Sequence, residues 1–92
     1  MTYSTVAIAH HANWIWDQLN NNSGRPVNNG TADRVNQANR DLCLSVAASI
    51  EKAETCADEY RLHEAAGWIV DAARQVFGVY SETYSQFVRF YS

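Results

Sequence analysis

An apolar stripe at helical spacing runs through the last third of the chain and limits the fold more than any other feature. Its side chains recur every three or four residues, at Leu62, Ala65, Ala66, Ile69, Ala72, Ala73, Val76, Phe77, Tyr80, Tyr84, Phe87, Val88 and Tyr91. This spacing places them on one face of an α-helix. Because such a face must be covered by other apolar surface, the stripe predicts helices packed around a shared core.

Two earlier segments have the same periodicity. The first helix is predicted to begin at its N-cap, Ser4, and to carry an apolar face of Ile8, Ala12, Ile15 and Leu19. The segment from Asn20 to Gly30 holds the one proline and two of the four glycines, so a loop is expected there. Thr31 is the predicted N-cap of the second helix. The stripe of that helix consists of Val35, Ala38, Leu42, Val46, Ser49 or Ile50, Ala53 and Ala57.

No glycine or proline marks the end of the second helix. Continued in phase past Ala57, its stripe would meet Arg61 and Glu64 instead of apolar side chains. The helical register must therefore change between Thr55 and Arg61. Thr55 or Asp58 is the predicted N-cap of the third helix.

The end of the chain has two interpretations. The third helix is predicted to reach about Tyr80, and Gly78 and Ser81 then mark either a kink or a stop. We favour a separate fourth helix with Ser81 as its N-cap. Because no segment has the alternating pattern of a strand, we predict an all-α fold. It is a small antiparallel bundle of three or four helices, in a single domain of residues 1–92.

Composition narrows the class of protein. A chain of 92 residues with 47% apolar side chains has room for one modest core, in which Leu42, Ile69 and Val76 are expected. The net charge of −3, with only seven Lys and Arg, argues against direct nucleic-acid binding. No segment has the roughly 20 apolar residues of a membrane span, and none resembles a secretory signal. We therefore expect neither a nucleic acid nor a membrane as partner.

The two cysteines, Cys43 and Cys56, lie on the predicted second helix. A helix rises about 1.5 Å per residue, which separates the two sulfur atoms by roughly 20 Å, too far for a disulfide. We therefore expect two reduced thiols and a cytoplasmic protein.

The three histidines, His10, His11 and His63, do not form a catalytic or metal-binding motif. A zinc or di-iron site would need further ligands at short spacing, and neither HExxH nor a repeated ExxH motif occurs. A Cys–His nucleophile pair has no local support. We expect no metal, no cofactor and no enzymatic activity.

Two tryptophans and an acidic cluster are the candidate partner-binding features. Trp14 and Trp68 lie off their apolar stripes, so both are candidate exposed anchors for a partner; the sequence leaves their exposure open, and the other interpretation is that they cover the rim of the core or pack against the loop. The acidic cluster is formed by Glu51, Glu54, Asp58, Glu59 and Glu64. Its first four members are predicted to contact a basic surface of a partner protein, although such a run is often only a solvated helix face.

These features favour a small, non-enzymatic, cytoplasmic protein that occupies the surface of a protein partner. An inhibitor encoded by a phage or mobile element, such as an anti-CRISPR or other anti-defence protein, is one class with this profile. The C-terminal aromatic residues either close the core or form a contact surface of their own. A homo-oligomeric bundle that sequesters a small ligand, with Arg25, Arg34 or Arg40 supplying charge, is the alternative. A small histidine-dependent enzyme is the second alternative.

Overall fold

The computed structural model describes the backbone of residues 3–22 and 32–92, and the side chains of residues 3–19 and 40–92. Four α-helices occupy this part of the chain: α1 (Thr5–Asn22), α2 (Ala32–Asp58), α3 (Leu62–Phe77) and α4 (Glu82–Phe90). The described residues contain no strand. The all-α prediction, the separate fourth helix and the break after the second helix are confirmed.

The predicted loop from Asn20 to Gly30 is wrong at its start, because α1 continues through Asn22. The residues that strongly disfavour a helix, Gly24 and Pro26, come only later in the sequence, and asparagine extends a helix at modest cost. The rest of that loop and the predicted cap Thr31 lie outside the described residues.

The helices form an antiparallel bundle with α3 at its centre, packed against α1, α2 and α4. Tyr3, just before α1, packs its ring on His63 at the start of α3 and on Tyr91 at the end of α4. Trp14 meets Phe77 at the other end of α3. Helices α1 and α3 therefore run in the same direction, and α2 and α4 run in the opposite direction.

The core is built from the predicted apolar faces. Helix α1 contributes four buried side chains, Ile8, Ala12, Ile15 and Leu19. Helix α3 contributes Ile69 and the buried alanines Ala65, Ala66, Ala72 and Ala73. Small side chains allow helices to approach closely, and so the central helix can pack against three neighbours. Phe87 and Tyr91, from α4 and its C-cap, close one side of the core.

Two of the three predicted core residues lie at the edge of the core. Ile69 is fully buried as predicted, whereas Leu42 and Val76 are only partly buried. Ser45 of α2 lies opposite Gln75, near the end of α3, at a distance of 2.5 Å between Oγ and Oε1. Leu42 is almost one turn beyond Ser45, where α3 ends and no longer covers α2.

The stripe that predicted the fold is interrupted where the chain leaves α3. Tyr80 is fully exposed and Val88 is 39% exposed, although the spacing assigns both to the buried face. Gly78 has a φ of 86°, which favours glycine, and it ends α3 before Tyr80. Helix α4 starts in a new direction, and of the stripe it buries Phe87 and, at its C-cap, Tyr91, while Val88 stays partly exposed.

A Schellman motif makes the turn between α2 and α3. The Tyr60 N–H bonds to the Ala57 carbonyl at 3.0 Å, and the Arg61 N–H bonds to the Cys56 carbonyl at 2.8 Å. Tyr60 occupies the left-handed position, with a φ of 61°. The predicted cap by Thr55 or Asp58 is wrong: Arg61 is the N-cap of α3, and no side chain caps that end.

Tyr60→Gly should raise the free energy of unfolding by about 0.5–1 kcal/mol. A left-handed conformation costs an L-residue roughly 1–2 kcal/mol, and part of this gain is offset by the greater backbone entropy that glycine loses on folding. The Tyr60 ring is 83% exposed, so little packing is lost. Urea denaturation measures the difference, and a loss of stability would show that the exposed ring contributes more than the strain costs.

The two predicted serine N-caps are confirmed. The Ser4 hydroxyl accepts a hydrogen bond from the Ala7 N–H at 3.1 Å, and the Ser81 hydroxyl accepts one from the Tyr84 N–H at 3.0 Å. Each bond satisfies an N–H that has no partner within the helix. Ser81 therefore sets the start of α4, the helix that forms one wall of a groove between α1 and α4.

Candidate functional site

An open groove between α1 and α4 is lined mainly by aromatic rings. We call it the aromatic groove; its volume is about 280 Å³, and its lining residues are His10, His11, Trp14, Thr83, Gln86, Phe87 and Phe90. The rings provide apolar surface, and His10, Thr83 and Gln86 provide hydrogen-bonding groups. This combination is typical of sites that bind an apolar group in a defined orientation.

The groove exists because α1 and α4 stay apart. No Cα atoms in the described parts of these two helices come within 8 Å of each other, so side chains bridge the gap. The centroid of the Trp14 indole lies 5.5 Å from that of Phe77 and 5.9 Å from that of Phe87. These aromatic pairs hold the indole in place.

Two of the apolar groove rings, Trp14 and Phe90, remain accessible to solvent, as does the His10 imidazole. Trp14 is 37% exposed and Phe90 is 42% exposed, while Phe87 is buried beneath them. Trp14 is therefore partly exposed, a point that the sequence left open. A ring that is held by its neighbours loses little conformational entropy when a partner covers it.

His11 lies in the wall of the groove, where α1 faces α4. Its ring centroid is 5.0 Å from that of Phe87 and 4.9 Å from that of Phe90, with the ring planes almost perpendicular. Its Nδ1 is 2.5 Å from the Tyr91 hydroxyl. Burial, and then the neighbouring His10, lower the pKa of His11, and burial raises the pKa of Tyr91 to about 12.

A second groove crosses α2 and α3 near their connecting turn. We call it the hairpin groove; it is lined by Ala48, Glu51, Lys52, Thr55, Cys56, Arg61, Glu64 and Trp68. The Lys52 ammonium lies 4.4 Å from the centroid of the Trp68 ring, a cation–π contact. Trp68 is partly buried, and Lys52 lies over part of its face. Trp68 is therefore a less accessible anchor than Trp14.

The acidic cluster is exposed around the end of α2. Arg61 pairs with Glu59 at 2.6 Å and with Glu64 at 2.5 Å. Exposed pairs of this kind contribute only about 0–1 kcal/mol to stability. Within the described residues no ion pair involves the other three members, Glu51, Glu54 and Asp58. The end of the hairpin therefore carries a net negative charge.

The predicted binding residues do not share one surface. Trp14 lines the aromatic groove, and Trp68 lines the hairpin groove; the two grooves share no lining residue. Glu51 also lines the hairpin groove, whereas Glu54 lines a groove between α1 and α2, and Asp58 and Glu59 are exposed at the end of α2.

Nothing in the sequence marks Thr83 and Gln86 as groove residues. A polar side chain on a short amphipathic helix is expected on the solvated face, and nothing in its sequence context shows that α1 lies opposite. The one available signal was Phe90, an aromatic residue outside the main α4 stripe. A nine-residue helix has room for only a few aromatic rings on its buried face, so the additional ring of Phe90 indicates a contact surface.

The histidines, cysteines and carboxylates of the described residues form no group of three or more that could hold a metal ion. Both cysteines are free, and the Cys56 sulfur has the Glu64 carboxylate as its polar neighbour, 3.9 Å away. A thiol nucleophile needs a base such as histidine beside it. The His63 ring contacts the Tyr3 ring, with 5.4 Å between the two ring centroids.

A polar cluster between α2 and α3 is structural. The buried Ser49 hydroxyl donates a hydrogen bond to Asp71 at 3.0 Å, and the Gln75 amide donates to both residues. Burial alone would raise the pKa of Asp71, but hydrogen bonds from Arg74, Ser49 and Gln75 together lower it. Because these groups satisfy one another, the cluster pairs two helices and offers no open site.

Comparison of the chain with protein-family models, with curated proteins and with solved structures finds no match. None of the helices in the described residues is long and apolar enough to cross a membrane.

Proposed function

We propose that this chain is a non-enzymatic binding protein that acts by occupying the surface of a partner protein. The observation that carries the proposal is the aromatic groove, where Trp14 and Phe90 remain exposed beside buried rings. Aromatic side chains supply a large share of the binding energy at protein interfaces. His10, Thr83 and Gln86 add groups that can orient the partner.

The acidic cluster supports a partner with a basic surface. Glu51, Glu54 and Asp58 leave uncompensated negative charge around the turn between α2 and α3. Such charge speeds association and selects among partners more than it adds affinity. A basic surface with which the partner itself binds nucleic acid has the positive charge that this cluster would contact.

An inhibitor encoded by a phage or mobile element, such as an anti-CRISPR or other anti-defence protein, is the narrower form of this proposal. A protein that acts by blocking a surface needs no catalytic constellation, and a single acidic domain of 92 residues is sufficient. It would act in the cytoplasm. The neighbouring genes test the narrower proposal: phage or mobile-element genes would support it, and an operon of metabolic enzymes would contradict it.

Trp14→Ala should raise the Kd for the partner about fivefold or more, a loss of over about 1 kcal/mol, because it removes an exposed anchor. The partner is first captured from host extract with the wild-type chain, and the Kd is then measured with purified proteins. Replacing Glu54 and Asp58 together by lysine should slow association, and added salt should reduce the difference from wild type.

Tyr80→Ala is the matched control. Tyr80 is a fully exposed aromatic residue outside both grooves, so its replacement should leave the Kd unchanged. Equal losses at Trp14 and Tyr80, or no loss at either, would contradict the groove as the binding surface. A mass measurement and a ligand thermal-shift screen test the alternative, since an oligomer that takes up a small ligand would favour a sequestering bundle.

A further inference from the structure

We propose that His11 is a pH-sensitive latch: its neutral imidazole holds α4 against α1, and uptake of a proton releases α4, which removes one wall of the aromatic groove. Helix α4 has only nine residues, and it reaches α1 through side chains alone. Release of α4 can be observed without any partner. Only its consequence, the loss of partner binding at low pH, rests on the proposed function.

The latch is the point where the side chains of α1 and α4 converge. The His11 ring contacts Phe87, Phe90 and Tyr91 at centroid distances of 5.0, 4.9 and 5.4 Å. Phe87 and Tyr91 are the two buried residues that α4 and its C-cap add to the core. A change that weakens the contacts of the His11 ring therefore also weakens the packing of α4 on the core.

The direction of the hydrogen bond between His11 and Tyr91 depends on the imidazole tautomer. In the neutral tautomer that carries its proton on Nε2, the Tyr91 hydroxyl donates the bond and Nδ1 accepts it. Nδ1 accepts only while it carries no proton. An imidazolium has an N–H on both nitrogens, so protonation reverses this bond: Nδ1–H donates to the Tyr91 oxygen, and the Tyr91 hydroxyl proton loses its acceptor.

The surroundings of His11 provide no compensating negative charge within the described residues. The titratable groups around it are His10 on its own helix, Tyr91 at the end of α4, Tyr3 before α1 and, behind Tyr3, His63 of α3. The charged side chains Glu82 and Arg89 of α4 pair with each other at 2.8 Å. An imidazolium at His11 would therefore be partly buried without a counter-charge, which is costly.

The carbonyl end of α4 would normally attract a cation. Three carbonyl groups at this end accept hydrogen bonds: Phe87 from the Tyr91 N–H, Arg89 from the Ser92 hydroxyl and Tyr91 from the Tyr3 hydroxyl. No hydrogen bond from His11 to these carbonyl groups occurs within the described residues.

The sign of the pH dependence follows from the lowered pKa of His11. We call α4 docked when it packs against α1, and undocked when it has left α1. Below pH 6.5, the ordinary pKa of histidine, His11 binds a proton more readily in the undocked state than in the docked state. Docking of α4 is therefore strongest above pH 6.5, and it weakens as the pH falls towards the lowered pKa that His11 has in the docked state.

Amide hydrogen exchange in the full chain tests the latch at about pH 7.5 and about pH 5, on either side of the ordinary histidine pKa. Protection factors in α4, at Phe87 for example, should fall several-fold at the lower pH, while that of Ile69 in α3 stays constant. NMR titration of the imidazole protons should give His11 a pKa below 6.5.

His11→Asn is the deciding variant, because its amide oxygen can accept a hydrogen bond near the position of Nδ1 and does not titrate. Its α4 protection should not change with pH, whereas His10→Asn should keep the wild-type response. Unchanged α4 protection in the wild type, a drop that persists in His11→Asn, or a His11 pKa at or above 6.5 would overturn the latch. If His11→Asn fails to fold, the wild-type titration and exchange decide alone. None of these measurements involves a partner, so the groove proposal is tested separately.

Discussion

Ile69→Ala should lower the free energy of unfolding by about 2–5 kcal/mol, towards the upper end of that range. Ile69 is fully buried at the centre of α3. Its neighbours on the same helix face are all alanines: Ala65, Ala66, Ala72 and Ala73. Because an alanine has no rotatable side chain that could fill the vacated space, the cavity should persist. Urea denaturation with linear extrapolation measures the loss.

Two leucines on α2 provide the controls for this prediction. Leu42 is partly buried, and its replacement by alanine should cost clearly less than the Ile69 change. Leu44 is 71% exposed, and its replacement should change stability by no more than about 0.5 kcal/mol. Equal losses at Ile69 and Leu44 would mean that the face of α3 assigned to the core is not buried.

The fold could be predicted because each helix has a complete apolar face of its own. All four residues assigned to the face of α1 are buried, and the phase change after Ala57 located the turn to within a few residues. The capping residue of that turn could not be predicted. A Schellman motif usually has glycine at its left-handed position, and here Tyr60 occupies it, so the sequence carries no ordinary signal.

The aromatic groove could not be predicted, because it depends on the distance between two helices that are far apart in sequence. Trp14 and Trp68 have the same character in the sequence, as rings placed off an apolar stripe. The structure distinguishes them, since Lys52 covers Trp68 while the face of Trp14 borders an open groove. Periodicity assigns a residue to a helix face but does not show which helix lies opposite.

Phe87→Ala should be the second change with a large effect, at about 3–5 kcal/mol. The ring is 6% exposed, and its centroid lies 5.0 Å from that of His11, 5.9 Å from that of Trp14 and 6.5 Å from that of Phe77. It therefore joins α1, α3 and α4 at one point. Its removal creates a cavity and also breaks three aromatic contacts.

Phe90→Ala is the matched comparison for Phe87→Ala, because both residues lie on α4 and both line the aromatic groove. Phe90 is 42% exposed, so its truncation should cost only about 1 kcal/mol in urea denaturation. Phe90→Ala should then weaken partner binding in a protein that remains folded, whereas Phe87→Ala should first destabilise the protein. If Phe90→Ala cost as much stability as Phe87→Ala, the outer ring would belong to the core, and the groove would lose one of its two exposed anchors.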